Sequence, residues 1–181
     1  MTAEGHLIFS VACAIFAGKA ELTPALTNGD WWHIIPGALL TCLLPDIDHP
    51  SSVLGQRLRW ISAPIARAFG HRGFTHSLLA VFGGVFLLQC QLPASWGIPP
   101  DVLHAMAIGY LSHLLADALT PAGVPLLWPV RWRFCLPLLY NDKGNSPLER
   151  LFCLALVGYS LYWDGVMPDM TAILRRIDHL F

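Results

Sequence analysis

Residues 44–77 read LPDIDHPSSVLGQRLRWISAPIARAFGHRGFTHS, and the rest of the chain is organised around this stretch. It opens with PDIDH at 45–49 and closes with HRGFTHS at 71–77, so carboxylates and imidazoles stand at its two ends. Each end adjoins a long apolar run. An aspartate at a bilayer centre costs about 2.5 to 3.5 kcal/mol, and a bound metal ion is a candidate to offset that cost.

The composition is typical of a membrane protein rather than of a soluble domain. Of 181 residues, 55% are hydrophobic and 13% are charged, and the mean hydropathy is +0.53. Soluble domains carry roughly 25% charged residues. The net charge of −1 provides no basic field for nucleic acid. We therefore expect the lipid bilayer as a partner, no nucleic acid, and a single domain over residues 1–181.

Apolar segments predict an all-α, polytopic membrane helix bundle with about four to five transmembrane helices. A helix of about 20 residues spans the bilayer core of about 30 Å. The predicted helices cover residues 5–18, 31–45, 74–92, 102–120 and 149–167. Within the connection 46–73, an amphipathic part with arginines is expected along the membrane surface. Residues 121–148 are expected to form an interfacial loop, and 170–181 a short amphipathic helix.

The distribution of basic residues predicts the orientation in the membrane. The connections 46–73 and 121–148, with the adjacent Arg150, hold eight of the eleven Lys and Arg residues. If all five helices span, both connections lie on the side of the N-terminus, and the positive-inside rule places that side in the cytoplasm. The polar segments that reach this face are His6, PDIDH, HRGFTHS and the pair His113 and Asp117.

His113 and Asp117 stand four residues apart on a predicted helix. Side chains at this spacing share one face, with Cβ atoms about 5 to 6 Å apart. The pair could bind one metal ion or bridge two. The alternative is a hydrogen-bonded pair that packs two helices together.

The motif PDIDH offers two carboxylates and an imidazole. Asp46 and Asp48 flank Ile47, so only one of the two is expected to bind a metal directly, while the other could orient a histidine. Asp48 is also a candidate general base, and His49 is a further candidate ligand. The alternative is a helix that stops at a proline and leaves its acids solvated.

The motif HRGFTHS contributes His71 and His76, separated by Gly73. Arg72 could hold a phosphate or carboxylate through two parallel hydrogen bonds, or serve only as a cytoplasmic anchor. Thr75 or Ser77 could cap the following helix. His33 and His104 start their helices on the opposite side, and His179 lies in the tail, so these three are excluded.

Together these residues predict a site of nitrogen and oxygen ligands without thiolate. Such a donor set suits Zn²⁺ most simply, with Mn²⁺ or Fe²⁺ possible, and the number of candidates allows one or two ions. The candidate metal ligands are His6, Asp46, His49, His71, His76, His113 and Asp117. The candidate catalytic residues are Asp48 and Arg72.

PDIDH, HRGFTHS and the block HLLADALTPAGVPLLWP resemble the YdjM-type family, bacterial inner-membrane proteins described as metal-dependent hydrolases. The likeness runs from the Gly-His near the start to about Arg150. That family is grouped with the zinc-dependent phospholipase C and P1-type nuclease fold, an all-helical bundle. The resemblance implies zinc ligands at Asp46, at His71 or His76, and at His113 and Asp117.

Two features of those relatives have no match here. Their further His-x-x-x-Glu is absent from the sequence, and the chain begins MTAEGH, without their ligating N-terminal tryptophan. The resemblance therefore does not imply a full three-zinc site. The family description also links expression to the DNA damage response, on which no residue of this chain bears.

The leading hypothesis is a membrane-bound, metal-dependent hydrolase at the cytoplasmic face. It would cleave a phosphoester or lipid-like ester of a small molecule or lipid through a metal-activated water. One alternative is a metal transporter, which would need ligands near the bilayer midplane on broken helices. Another is a non-catalytic structural protein whose polar cluster packs helices and holds no metal. The sequence does not indicate an oligomeric state.

Overall fold

The computed structural model describes residues 1–91, 96–130, 132–139 and 147–163. In this part of the chain the regular elements are helices, which confirms the predicted all-α class; Val124 and Phe134 form an isolated antiparallel bridge. The helices are α1 (Ala3–Lys19), α2 (Pro24–Thr27), α3 (Trp31–Thr41), α4 (Val53–Arg57), α5 (Arg59–Phe69), α6 (Leu78–Gln91), α7 (Pro100–Ala118) and α8 (Pro147–Tyr162), and 3₁₀ turns cover Pro45–Asp48 and Phe74–His76.

The five predicted helices correspond to α1, α3, α6, α7 and α8, with shifted ends. α3 stops at Thr41, before the 3₁₀ turn that starts at Pro45. α6 starts at Leu78 because Phe74–His76 forms the other 3₁₀ turn, and the Ser77 hydroxyl accepts a hydrogen bond from the Ala80 amide at 3.3 Å. The predicted tail helix 170–181 lies outside the described residues, as do parts of the predicted loop 121–148 and of the helix 149–167.

The predicted four to five transmembrane helices are not found among the described residues. No helix there has both the length and the apolar run that a bilayer crossing requires. α1, α3, α6 and α8 have 17, 11, 14 and 16 residues, short of the usual 20 or so. α7 has 19 residues but carries Asp101 and Asp117.

α7 is the central helix of the fold. α1 and α3 pack along it, and α8 packs on α1. One apolar cluster joins α1, α2, α3 and α7 and consists of Ala14, Ala17, Leu26, Ile34, Ala38 and Ala105. A second cluster lies around the far end of α7 and consists of Phe9, Ala116, Leu119, Leu139 and Cys153. The remaining face of α7 at that end is therefore left for polar side chains.

The connection predicted to lie along the membrane surface forms α4 and α5. α5 packs against the 3₁₀ turn Pro45–Asp48. Its arginines Arg59 and Arg67 are exposed, as is Trp60. The amphipathic character expected from the sequence is thus present, with the polar and aromatic side turned away from the rest of the fold.

Gly109 lets α3 and α7 approach at backbone distance. A Cβ atom at this position would lie 2.0 Å from the Ala38 carbonyl oxygen and 2.6 Å from the Thr41 hydroxyl oxygen. The same Thr41 hydroxyl donates to the Met106 carbonyl at 2.6 Å. The contact fixes the distance between α3, which leads into the turn with Asp46, and α7, which carries His113.

Gly109→Ala should therefore lower the free energy of unfolding by about 1 to 3 kcal/mol, because the added methyl forces the helices apart. Thermal unfolding of the purified protein in detergent, followed by circular dichroism, measures this. The matched control is Gly83→Ala in α6, where a Cβ meets no atom within 4 Å. That control should be neutral or stabilising, since alanine favours helix; equal effects would contradict the close contact.

Candidate metal centre

Five ionisable side chains from four elements converge at one end of α7. Four of the five are fully buried, and the Asp46 side chain is 23% exposed. They are His6 from α1, Asp46 from the first 3₁₀ turn, His76 from the second, and His113 and Asp117 from α7. Parts of the chain more than one hundred residues apart therefore meet at one point.

The nitrogen and oxygen atoms of four of these side chains face one another at ligand-like separations. The two Nε2 atoms of His76 and His113 lie 3.3 Å apart. His76 Nε2 lies 3.6 Å from Asp117 Oδ2 and 3.9 Å from Asp46 Oδ1. His113 Nε2 lies 3.7 Å from Asp46 Oδ1 and 3.9 Å from Asp117 Oδ2. A tetrahedral zinc ion with bonds of about 2.0 to 2.1 Å separates its ligands by about 3.3 to 3.4 Å. The observed spacing is close to that value or slightly wider.

Hydrogen bonds fix which nitrogen of each imidazole is free. His113 Nδ1 lies 2.7 Å from the Cys42 carbonyl oxygen. His76 Nδ1 lies 3.0 Å from Asp48 Oδ2. A carbonyl or an ionised carboxylate can only accept, so both Nδ1 atoms carry protons. In the neutral rings, each Nε2 then presents a lone pair to the cluster, which is how histidines are oriented to bind metals.

This donor set fits a divalent cation. Two imidazole lone pairs and two carboxylates converge in a largely buried space. Of the two carboxylates, only Asp117 has a positive charge from the described residues beside it, from Arg72 and Met1, so a cation among the four groups would reduce their repulsion. Two nitrogen and two oxygen ligands without thiolate suit Zn²⁺, and also Mn²⁺ or Fe²⁺.

Two overlapping triads of potential ligands share His113. One comprises His6, His113 and Asp117, and the other comprises Asp46, His76 and His113; within each, the ligand atoms lie within 4.8 Å of one another. Because His113 Nδ1 is held by a carbonyl, only Nε2 is available, and one nitrogen lone pair serves one ion. The arrangement favours a single ion over two.

His6 closes the cluster on the α1 side. Its ring stacks on His113 with centroids 3.8 Å apart and planes 9° from parallel. Its Nε2 lies 3.5 Å from Asp117 Oδ1. Its buried Nδ1 has no hydrogen-bond partner within the described part of the chain. His6 thus holds the His113 ring in place and offers one further ligand.

Asp48 lies behind the cluster and is fully buried. Its oxygens accept hydrogen bonds from His71 Nδ1, the Arg72 amide and His76 Nδ1, each at 3.0 Å, and from the Thr75 hydroxyl. Burial alone would raise the pKa of Asp48, but the hydrogen bonds that it accepts from His71, His76 and Thr75 lower it below the ordinary range. An ionised carboxylate with this many donors is suited to orienting histidines.

Arg72 sits at the inner wall of the site. Its backbone adopts a φ of +56°, in the left-handed region that is uncommon outside glycine. Its guanidinium lies 2.8 Å from Asp117 Oδ2 and donates to the Gly123 carbonyl at 3.2 Å. The amino group of Met1 lies 3.2 Å from the other oxygen of Asp117. Asp117 is therefore flanked by two positive charges as well as by the histidines.

His71 and His49, both predicted metal ligands, stand at the opening rather than in the convergent group. His71 is 45% exposed, and its Nδ1 is held by Asp48. The His49 ring lies over His71 at 4.3 Å, with Ser51 Oγ 3.1 Å from its Nδ1. Two histidines that the sequence analysis excluded from the site have partners elsewhere. His33 Nδ1 lies 2.9 Å from Asp101 Oδ2, and His104 Nδ1 lies 2.9 Å from the Thr23 hydroxyl.

Several supporting groups were not predicted. The Cys42 carbonyl orients the His113 ring. The sequence could not indicate this contact, because the acceptor belongs to the main chain and not to a side chain. Thr75 was considered only as a helix cap, although its place within HRGFTHS could have suggested a contact with PDIDH. Tyr110 donates to the Thr75 carbonyl at 2.6 Å. Glu149, also buried, accepts from the amide and hydroxyl of Thr2 at 2.9 Å and 2.6 Å, which fixes the start of α1.

Comparisons with known proteins place the chain in a family. The family model described as YdjM inner membrane protein matches residues 1–167. The chain is 65% identical to the inner membrane protein YdjM of Escherichia coli K12 over 173 residues, 96% of this chain and 88% of the relative. The YdjM protein of Shigella flexneri matches to the same extent. An uncharacterized Bacillus subtilis protein, YvsG, is 31% identical over 90% of this chain and 94% of its own length.

The chain belongs to the YdjM inner membrane protein family, and its location is the bacterial inner membrane. No solved structure matches the chain.

His113→Ala should abolish stoichiometric binding of a divalent metal, because it removes the ligand that both triads share. Elemental analysis of the purified protein after incubation with zinc and removal of the excess measures this. The control is His104→Ala, on the same helix at its other end, which should retain the metal. Equal metal content in both variants would contradict the proposed ligand set.

Asp48→Asn should weaken metal binding by about 10- to 100-fold, because an amide no longer fixes the His76 tautomer as a carboxylate does. A competition titration with a chromophoric zinc chelator gives the dissociation constant. Asp101→Asn is the matched control, since Asp101 also accepts from a histidine but lies away from the cluster. An unchanged dissociation constant for Asp48→Asn would leave Asp48 without an orienting role.

Proposed function

We propose that this member of the YdjM family is a membrane-bound, metal-dependent hydrolase that cleaves a phosphoester or lipid-like ester. The observation that carries the proposal is the convergence of the His76 and His113 Nε2 atoms, 3.3 Å apart, with carboxylate oxygens of Asp46 and Asp117 within 3.9 Å. Asp117 is also paired with Arg72, but in the neutral rings the Nε2 lone pairs of His76 and His113 face each other without a donor from the described part of the chain between them. A purely structural polar cluster would avoid that arrangement.

In this proposal, His76, His113, Asp46 and Asp117 hold the ion, and His6 is available as a fifth ligand. A divalent ion at this position would act as a Lewis acid, lowering the pKa of water and polarising a phosphoryl or carbonyl oxygen. The partly exposed Asp46 marks the side from which substrate and water enter. The other ligands lie in a space closed to bulk water, where electrostatic interactions are strong.

Asp48 and Arg72 support this chemistry in different ways. Asp48 is better suited to positioning His76 and His71 than to acting as the general base predicted from the sequence, because its oxygens are already taken up by four donors. The Arg72 guanidinium, within reach of Asp117, brings a fixed positive charge to the ion site. That charge favours an anionic substrate group such as a phosphate.

The amphipathic connection supports a site at the membrane surface. α5 packs on the turn that carries Asp46 and Asp48, and it presents arginines and Trp60 outward. Arginine with an aromatic residue is typical of the lipid headgroup region. A substrate with its ester at the headgroup level would meet the opening at Asp46.

The purified protein loaded with zinc should hydrolyse a water-soluble phosphodiester such as bis-p-nitrophenyl phosphate, with activity lost on chelation and restored by metal. His113→Ala should lower kcat/KM by at least 100-fold, because it removes a metal ligand. His104→Ala should leave it unchanged. Release of nitrophenol measures the rate. A panel of phospholipids and carboxylic esters extends the assay to other substrate classes.

Metal uptake into liposomes separates the hydrolase from a transporter. The hydrolase proposal expects bound metal, hydrolysis and no flux of zinc into vesicles containing the reconstituted protein. Flux that depends on His113, without hydrolysis of any ester in the panel, would replace the proposal by a transporter. Absence of bound metal would replace it by a structural role.

A further inference from the structure

An apolar groove of about 290 Å³ runs between α3 and α6, with α7 as its floor. Its walls include Leu44 after α3 and Gly84 and Leu88 of α6. Thr41 and Tyr110 supply the few polar atoms among its lining residues. Along α6 it extends from Ala80 to Leu88, a helix rise of about 12 Å. An elongated groove with an apolar lining fits a hydrocarbon chain better than a compact polar molecule.

One end of the groove adjoins the metal centre. Leu44 is followed directly by Pro45 and Asp46. Tyr110 precedes His113 by one turn of α7, and its hydroxyl donates to the Thr75 carbonyl at 2.6 Å. This end of the groove therefore lies two residues from Asp46 along the chain and one helical turn from His113. From there the groove follows α6 and α7 toward Leu103.

A larger apolar cavity, of about 550 Å³, does not have this relation to the centre. It lies between α1, α7 and α8, and α7 contributes Leu111, Leu115 and Ala118 to it. At 100° per residue these three positions lie on the side of α7 opposite His113 and Asp117. Of these two cavities in the described part of the chain, the smaller groove is the one on the ligand-bearing side.

The segment that packs on the turn holding Asp46 is basic. Residues 50–73 contain Arg57, Arg59, Arg67 and Arg72 and no aspartate or glutamate, and α5, within this segment, packs on that turn. An amphiphile whose tail lies in the groove would thus have its head near the metal ligands and near Arg72, whose guanidinium lies 2.8 Å from Asp117 Oδ2. Charge complementarity selects an anionic head group.

We propose that the groove between α3 and α6 binds one acyl chain of an anionic glycerophospholipid, with its phosphate at the opening beside Asp46. The inference rests on the proposed hydrolase function and names its substrate class. The family's inner-membrane location supplies such lipids. The exposed side of α6 carries Leu79, Phe82 and Phe86, so α6 presents apolar surface to lipid as well as to the groove.

Two adjacent glycines of α6 provide a matched test. Gly84 lines the groove and Gly83 does not. A Cβ at either position meets no atom within 4 Å, so neither substitution clashes at its first side-chain carbon. Gly84→Phe should fill the groove, whereas Gly83→Phe changes the same helix by the same residue on another face. Ala107→Leu, on the α7 side of the groove, is a second filling variant.

The full-length protein is reconstituted in vesicles of phosphatidylglycerol, kept in EDTA so that no turnover occurs, and released for native mass spectrometry. Wild type and Gly83→Phe should each retain one phosphatidylglycerol molecule per chain. Gly84→Phe and Ala107→Leu should retain it at least 10-fold less. Circular dichroism checks that each variant is folded. If Gly84→Phe does not fold, the Ala107→Leu result is used as the test.

Retention of the lipid by the folded groove-filling variants, or equal loss in Gly83→Phe, would overturn the proposal. The lipid count is independent of hydrolysis, so it separates the two ideas. A retained lipid that depends on Gly84, in a protein that hydrolyses no ester, would refute the proposed function and leave the groove assignment intact. Hydrolysis of bis-p-nitrophenyl phosphate without a retained lipid would support the proposed function and refute the groove assignment.

Discussion

The structure depends on two imidazole nitrogens that face each other at 3.3 Å in a space without solvent. Each belongs to a ring whose other nitrogen is committed to an acceptor, so neither has a proton to give while its ring is neutral. Arg72 and the Met1 amino group balance the charge of Asp117, but they do not lie between the two nitrogens. A divalent cation there would accept both lone pairs. The fold thus brings α1, α7 and two 3₁₀ turns together at a centre whose residues could hold such an ion.

The groups behind the ligands explain why that centre is ordered. Asp48 holds both histidines of the HRGFTHS motif, and Thr75 and the Arg72 amide complete its acceptor capacity. Tyr110 then ties this segment to α7. Gly109 allows α3 close to α7, which brings the Cys42 carbonyl to His113. Main-chain contacts and second carboxylates thus set the geometry, as they do around many protein metal sites.

The sequence was sufficient to predict the main helices and the group of residues that could meet. Both predictions rest on local signals, namely apolar runs and the polar residues at their ends. The sequence could not distinguish which of His71 and His76 faces the cluster, since both flank the same glycine. That choice follows from the path of the backbone through Arg72 at a φ of +56° and into the turn Phe74–His76. The predicted spans were wrong for the described residues because the runs break into 3₁₀ turns and shorter helices.

The same breaks explain how a buried polar centre and an apolar exposed surface on α6 occur in one small chain. A helix that ran unbroken from residue 74 would continue past the site. Instead, the turn Phe74–His76 ends there with His76 turned inward, and α6 begins at Leu78. α3 stops at Thr41, which leaves the following turn free to carry Asp46 and Asp48 beneath α5. Because both interruptions fall at the same end of α7, polar groups gather there and the rest of α6 can remain apolar. The interruption of the apolar runs is therefore what creates the site.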